Sequence, residues 1–548
     1  LNISTGWVKK PQRIRGLDHL AVQAPCINLY GQMLPGITNV TDRGRYYSFY
    51  PWIIRALEKA GHTYNQTFIN LFRRADCLFT LIAHQHANIS EGDYSIHSGA
   101  TTGSANLSNA IQEIKQDQAI KLSDYADLSD DVKQRYFKNK LGGIGQYYLG
   151  VFRELDMMRG SIASGVKNTE EMGLKVAEVF AQNSDHDLFI KTLKEDVVTV
   201  ERLNELADFC QCQIVNNPAE QKILCDLFFV TGDFFDPEML ERRNTLQAIL
   251  LLADLLAGVG KELDLKSFRG CVYSGALPGG AAIELPDRLK PILQRWSIYQ
   301  RNELLSLSLQ GLFFVLLDAY SESGNKLDSS QKICEWYVQS GEVDEATPFD
   351  IKSVTFSDAK TIISKELASI QNWVDENHEV QAAFEVESLC RQEKTSENRI
   401  KILKECFKII SALCSRGCFP KGYGDFTFIR KNYLNYYTIN LQAFDYYAEN
   451  TWPEMNFYEW LLWMFKKWGI EAHLKVALRK LRGQSQSTFR IKPSDQGFEV
   501  IETPGAVYTS PRFRQALQVL IDIGALERKG DTVVSTDLGK SLREIQND

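Results

Sequence analysis

Cysteine and histidine are the residue types in this 548-residue chain most able to hold a metal or attack an electrophile, and it carries eleven of the first and eight of the second. Cys210 and Cys212 are separated by one residue, Cys414 and Cys418 by three. Neither pair has a second pair at zinc-site spacing, and no Cys-x-x-Cys occurs. Most of the thiols fall within apolar helical patterns, as Cys77 and Cys406 do, where free cysteine acts as a small hydrophobe. The expectation is therefore buried, unpaired thiols in a reducing compartment, with no metal and no cofactor. The histidines form no His-Glu-x-x-His helix, and His84 and His86 fall on different sides of theirs. Glu113-Ile114-Lys115 and Asp264-Leu265-Lys266 each supply an acid-x-lysine triplet, with Asp93 and Asp236 as upstream acids. Metal-dependent phosphodiester cleavage needs such acids on adjacent strands, whereas both triplets lie in helical patterns.

Other near-motifs each lack a required residue. Gly539-Lys540-Ser541 has the tail of a Walker A loop, but the upstream glycine position is Val534. Leu141-Gly142-Gly143-Ile144-Gly145 lacks dinucleotide spacing and reads as a tight turn. No Gly-x-Ser-x-Gly elbow occurs. His86-x-Asn88-x4-Asp93, followed by Gly103-Ser104-Ala105-Asn106, resembles the His-x-Lys, Asp and Gly-Ser-x-Asn pattern of the phospholipase-D-like nucleases. In that family histidine attacks phosphorus and lysine neutralises the developing charge. Asn88 stands in the lysine position and the gap before Gly103 is longer, so the resemblance implies a degenerate, cryptic nuclease as an alternative. No catalytic residue is assigned.

Basic residues in polar or aromatic settings are the remaining candidates, as a nucleic-acid surface. Arg43 and Arg45 lie in a segment, Leu34 to Trp52, dense in turn formers and then aromatics; they could hold a phosphate or a stacked base. The competing reading is an aromatic plug with its arginines bonded to loop carbonyls. This segment, and Gln300-Arg301-Asn302-Glu303-Leu304-Leu305, resemble uncharacterised bacterial proteins encoded beside phage-defence genes. Lys475, Arg479, Lys480 and Arg482 form a second basic group at helical spacing. Arg512, Arg514, Arg528 and Lys529 form a third near the C-terminus, with Asp522, Glu527 and Asp531 among them.

The elements that must position these residues are mostly helices. Hydrophobic residues make up 44% and charged residues 24%, an ordinary globular composition, and the formal charge of −7 confines any phosphate contact to a local patch. Apolar residues at three-and-four spacing predict helices over Tyr64–His86, from Asp236-Pro237-Glu238 through Leu256, and over Leu403–Cys414 ending at Gly417. The aromatic stripe through Trp452, Trp460, Trp463 and Trp468 reads as core. The run Leu304–Leu317 is too short to span a bilayer. The stretch through Arg15 has no signal-peptide core, so a cytoplasmic, membrane-free protein is expected.

At the end, Ser510-Pro511 opens a helix carrying Phe513, Ala516, Leu517, Leu520 and Ile521 on one face. A strand Ala525–Arg528, a turn at Lys529-Gly530-Asp531, a strand Thr532–Ser535 and a helix capped by Thr536 follow. This order resembles a winged-helix domain, which implies DNA contact or partner docking. The expected fold is mainly α and multi-domain, with a C-terminal winged-helix (α+β) module: a helical domain over 1–160, a central helical domain over 161–420, and an aromatic-rich region over 421–548 ending in the module. The expected function is a non-enzymatic subunit of a bacterial anti-phage complex that binds DNA or docks an ATPase or nuclease partner. A pure scaffold for an SMC-type ATPase is a further alternative.

Overall fold

Helices form where the apolar period requires them, and their ends carry the expected caps. In the computed structural model, which describes residues 12–13, 18–128, 135–182, 185–421, 439–481 and 486–546, helix dominates, and the strands pair only into five two-stranded sheets among those residues. The Asn65 side chain accepts from Phe68 N and opens the helix Gln66–Ile89, whose apolar stripe is buried. Asp236 caps a short 3-10 turn, Pro237–Met239, that leads into the helix Leu240–Gly258. Thr395 caps Ser396–Arg416, which stops at Gly417.

The chain divides into two units, and neither is continuous in sequence. One comprises Leu1–Tyr30 with Asp264–Pro511; the other comprises Gly31–Leu263 with Arg512–Asp548. The expected cuts at 160 and 420 therefore fall inside units. The C-terminal elements pack onto the helix Leu240–Gly258 of the same unit: Ser535 N donates to Asp254 Oδ1 at 2.8 Å, and Gln247 Nε2 donates to Leu542 O at 2.9 Å. Contacts this distant in sequence leave no trace in local composition.

The first unit is built around a 34-residue helix, Lys290–Ser323, packed against Ser396–Arg416. Extended to Asp287, this helix is long and apolar enough to cross a membrane, but 89% of its most apolar window is buried inside the protein. Gln300, Arg301, Asn302 and Glu303 lie on it and are all buried; the Glu303 carboxylate accepts from Thr509 N and from the Thr509 hydroxyl. Trp452, Trp460 and Trp468 are buried and stack among Phe444, Tyr447 and Trp463, so the aromatic stripe is core. Tyr436 and Tyr437, from the same run, lie outside the described residues.

In the second unit, the expected helix–hairpin–helix order is present at the C-terminus. The helix spans Phe513–Asp522, two residues later than an opening at Pro511, because Arg512 sits at φ 61° in the left-handed region. Strands Leu526–Lys529 and Thr532–Ser535 pair antiparallel about Gly530, whose φ of 61° the tight turn requires. Thr536 then accepts from Gly539 N and caps Asp537–Arg543.

Candidate functional site

The Arg43–Arg45 segment is where the second unit's polar chemistry concentrates, and the structure turns both arginines inward. Arg43 is 1% exposed and Arg45 fully buried. Arg43 Nε donates to Asp522 Oδ2 at 3.0 Å, and its other nitrogens donate to the carbonyls of Ser95, Ile96 and Gly99. Arg45 pairs with Glu220 at 3.0 Å and donates to the carbonyls of Asp208 and Cys210. Ser48 Oγ completes that carboxylate's shell at 2.7 Å. The protein's own acceptors thus engage these buried guanidiniums, as in the aromatic-plug reading, and leave neither exposed to a phosphate or base. The neighbouring tyrosines pack as core: Tyr46, Tyr47 and Tyr50 are buried, with Tyr46 stacked on Tyr50 at 5.1 Å.

Those arginines lead directly to a cluster that sequence spacing did not reveal. His86 from the last turn of Gln66–Ile89, His97 from the five-residue helix Tyr94–Ser98, Cys210 from the junction of two 3-10 turns and Cys212 from the second of them converge. One donor atom from each lies within 4.8 Å of all the others. Cys210 Sγ lies 3.6 Å from His97 Nδ1, and Cys212 Sγ lies 3.5 Å from His86 Nδ1. The two imidazoles meet edge to face, with centroids 4.7 Å apart. Burial keeps both imidazoles below their ordinary pKa. The Cys212 thiol is lowered by its hydrogen bond with Cys210 and then by the Arg45 and Arg43 charges, whereas burial raises Cys210. All eleven cysteines are free, as their scattering suggests; the expectation of no metal site does not foresee this set. The only local signal is Cys210-x-Cys212, because the histidines join it by tertiary folding alone.

The residues of the nuclease-like pattern do not assemble. His86 faces the cysteines, while Asp93 caps the helix Tyr94–Ser98 by accepting from Ser95 N at 2.8 Å. Ser104 Oγ lies 3.1 Å from His84 Nε2, and Asn106 donates to Tyr136 O. His84, pushed down to about 4 by burial and then by Lys115, is a neutral link between Tyr94 and Ser104. Glu113 lies on the helix Ser108–Lys115, and Asp264 caps Leu265–Ser274, so neither triplet stands on a strand.

The C-terminal basic residues separate into anchoring and exposed sets. Arg512 donates to Leu34 O at 2.8 Å, and Gln515 donates to Asn39 O and to Asp42. Asp522 is buried against Arg43 and Gly44 N. Together these lay most of the helix Phe513–Asp522 against its own unit. Arg514, Arg528 and Lys529 remain exposed, with Lys529 paired to Glu527 at 2.9 Å. Lys475 and Arg479, in the other unit, are exposed on the helix Ala472–Leu481. Lys480 there donates to Asp18 O at 2.6 Å, and Arg482 lies outside the described residues.

The first unit also holds an open cavity of about 780 Å³ bordered by Tyr273, Lys290, Ser297, Arg301 and Arg416. Its two arginines are engaged within the wall: Arg301 with Gly417 O and the Tyr273 ring, Arg416 with Glu379. Compared with protein-family models, with curated proteins and with solved structures, the chain finds no match.

Proposed function

We propose that the protein is a non-enzymatic binding subunit, of the kind found in bacterial anti-phage complexes, whose C-terminal helix–hairpin–helix segment is a winged-helix module that meets DNA through its hairpin. The observation that carries this reading is the division of the module's charges. Arg512 and Asp522 fasten the helix Phe513–Asp522 inward, while Arg514 and the hairpin residues Arg528 and Lys529 stay exposed. With most of its helix so covered, the module offers mainly its hairpin and Arg514. Contact is then directed to phosphates, independent of base sequence and steeply dependent on salt.

Duplex retention measured over a salt series tests this in Arg514→Glu/Arg528→Glu/Lys529→Glu. The expected result is weaker binding at every salt concentration, with a log–log slope shallower by about 0.9 per phosphate contact removed. Unchanged affinity and slope would remove DNA from the reading. A second reading, docking of an ATPase or nuclease partner, is favoured by the mixed charge of the hairpin, where Glu527 and Asp531 are also exposed. It predicts that the same variant binds DNA normally but loses its stoichiometric partner.

A further inference from the structure

We propose that His86, His97, Cys210 and Cys212 form a closed, structural zinc site that clamps together the three segments carrying them. A tetrahedral zinc ion takes thiolate at about 2.3 Å and imidazole at about 2.05 Å, so its sulfur-to-nitrogen edges are about 3.6 Å. The Sγ–Nδ1 separations of 3.6 and 3.5 Å match two of the four such edges. Two thiolates with two neutral imidazoles is a donor set that selects zinc over magnesium or calcium, which require oxygen. With four protein donors, no coordination position is left for a reactive water, so the role is structural.

The surroundings show why a clamp is needed here. Of the five residues in Tyr94–Ser98 only Ser98 is buried, and Tyr94 and Ile96 are exposed. Apolar burial therefore does little to hold the segment that presents His97. Cys210 likewise lies between the 3-10 turns Ala207–Phe209 and Gln211–Asn216, and Cys212 on the second, rather than on a long element. The two buried arginines act on those same two segments. Arg43 gathers three carbonyls around His97, and Arg45 binds the carbonyls of Asp208 and Cys210. They are positioning residues: their bonds fix the backbone from which the donors project, as outer-shell partners do at metal sites. Through Asp522, Arg43 also links this arrangement to the helix Phe513–Asp522.

The test uses the full chain, produced without a polyhistidine tag and kept reduced. Elemental analysis should find one zinc per chain in the wild type and in the control His84→Ala, whose imidazole bonds Tyr94 and Ser104 instead. In His86→Ala and in Cys212→Ser the zinc content should fall to a small fraction. Should those variants fail to fold, cobalt added to the metal-stripped wild type decides. Tetrahedral d–d bands with thiolate-to-cobalt charge transfer support the site; an octahedral spectrum without sulfur ligation overturns it. Folded, reduced wild type that takes up neither zinc nor cobalt would show that the four side chains are joined by S–H···N hydrogen bonds alone. Zinc retained by both ligand variants would also overturn the assignment.

Discussion

Replacing Asp522 by asparagine should weaken the second unit by about 3–5 kcal/mol, because the substitution removes one partner of a buried ion pair. The pair is almost sealed from water, with side chains 1% and 2% exposed. Arg43 Nε and Gly44 N donate to Oδ2 at 3.0 and 2.7 Å; Arg43 and Gln518 Nε2 donate to Oδ1 at 3.0 and 2.8 Å. Each oxygen thus receives two donors, and an asparagine amide would face two N–H groups whichever way it turned. Each charge-assisted bond lost costs about 1.5–3 kcal/mol, and the uncompensated guanidinium accounts for the remainder. Removing both charges, as Arg43→Met/Asp522→Leu, should cost less than the sum of the single variants by at least about 2 kcal/mol. Urea unfolding measures the totals. Hydrogen exchange locates them: peptides from 513–543 should lose protection while peptides from 290–323 keep theirs. An Asp522→Asn loss below about 1 kcal/mol, or additive single and double variants, would refute the argument.

Two pH effects follow from buried titrating groups. Burial pushes the Asp76 carboxyl up to about 7, against hydrogen bonds from Tyr50 and Gly143 N and the Arg73 charge, which lower it. Between pH 4 and 7 the folded state keeps a proton that the unfolded chain releases, so stability falls as pH rises, by about 4 kcal/mol across the window. Asp76→Asn should abolish that slope in urea unfolding at pH 5 and pH 8; an unchanged slope would assign it elsewhere. His473 behaves oppositely. Burial holds it near 4, with its Nδ1 3.2 Å from His19 O and its Nε2 accepting from Arg490 N. Its contribution is complete above pH 6.5 and is lost as pH falls toward 4, by about 3 kcal/mol. His473→Gln should flatten that acid limb in the first unit, and an equally steep limb would rule the histidine out.

The helical class, the caps at Asp236 and Thr536, the core role of the tryptophan stripe and the order of the C-terminal elements were legible in the sequence. Each depends on residues within a few turns of one another, so periodicity and local hydrogen bonding suffice to specify it. Arg43 and Arg45 show where that reach ends. Their types and aromatic setting suit a phosphate as well as they suit a set of carbonyls. The choice belongs to Glu220 and Asp522, more than 170 and 470 residues away, which arrive only when the chain is packed. The same holds for His86, His97, Cys210 and Cys212, whose two halves are more than 100 residues apart. Local sequence therefore determined the helical class, those caps and the order of the C-terminal elements. Tertiary packing alone decided which charges are neutralised inside, which remain at the surface, and which four side chains meet, because burial and proximity are properties of the assembled chain.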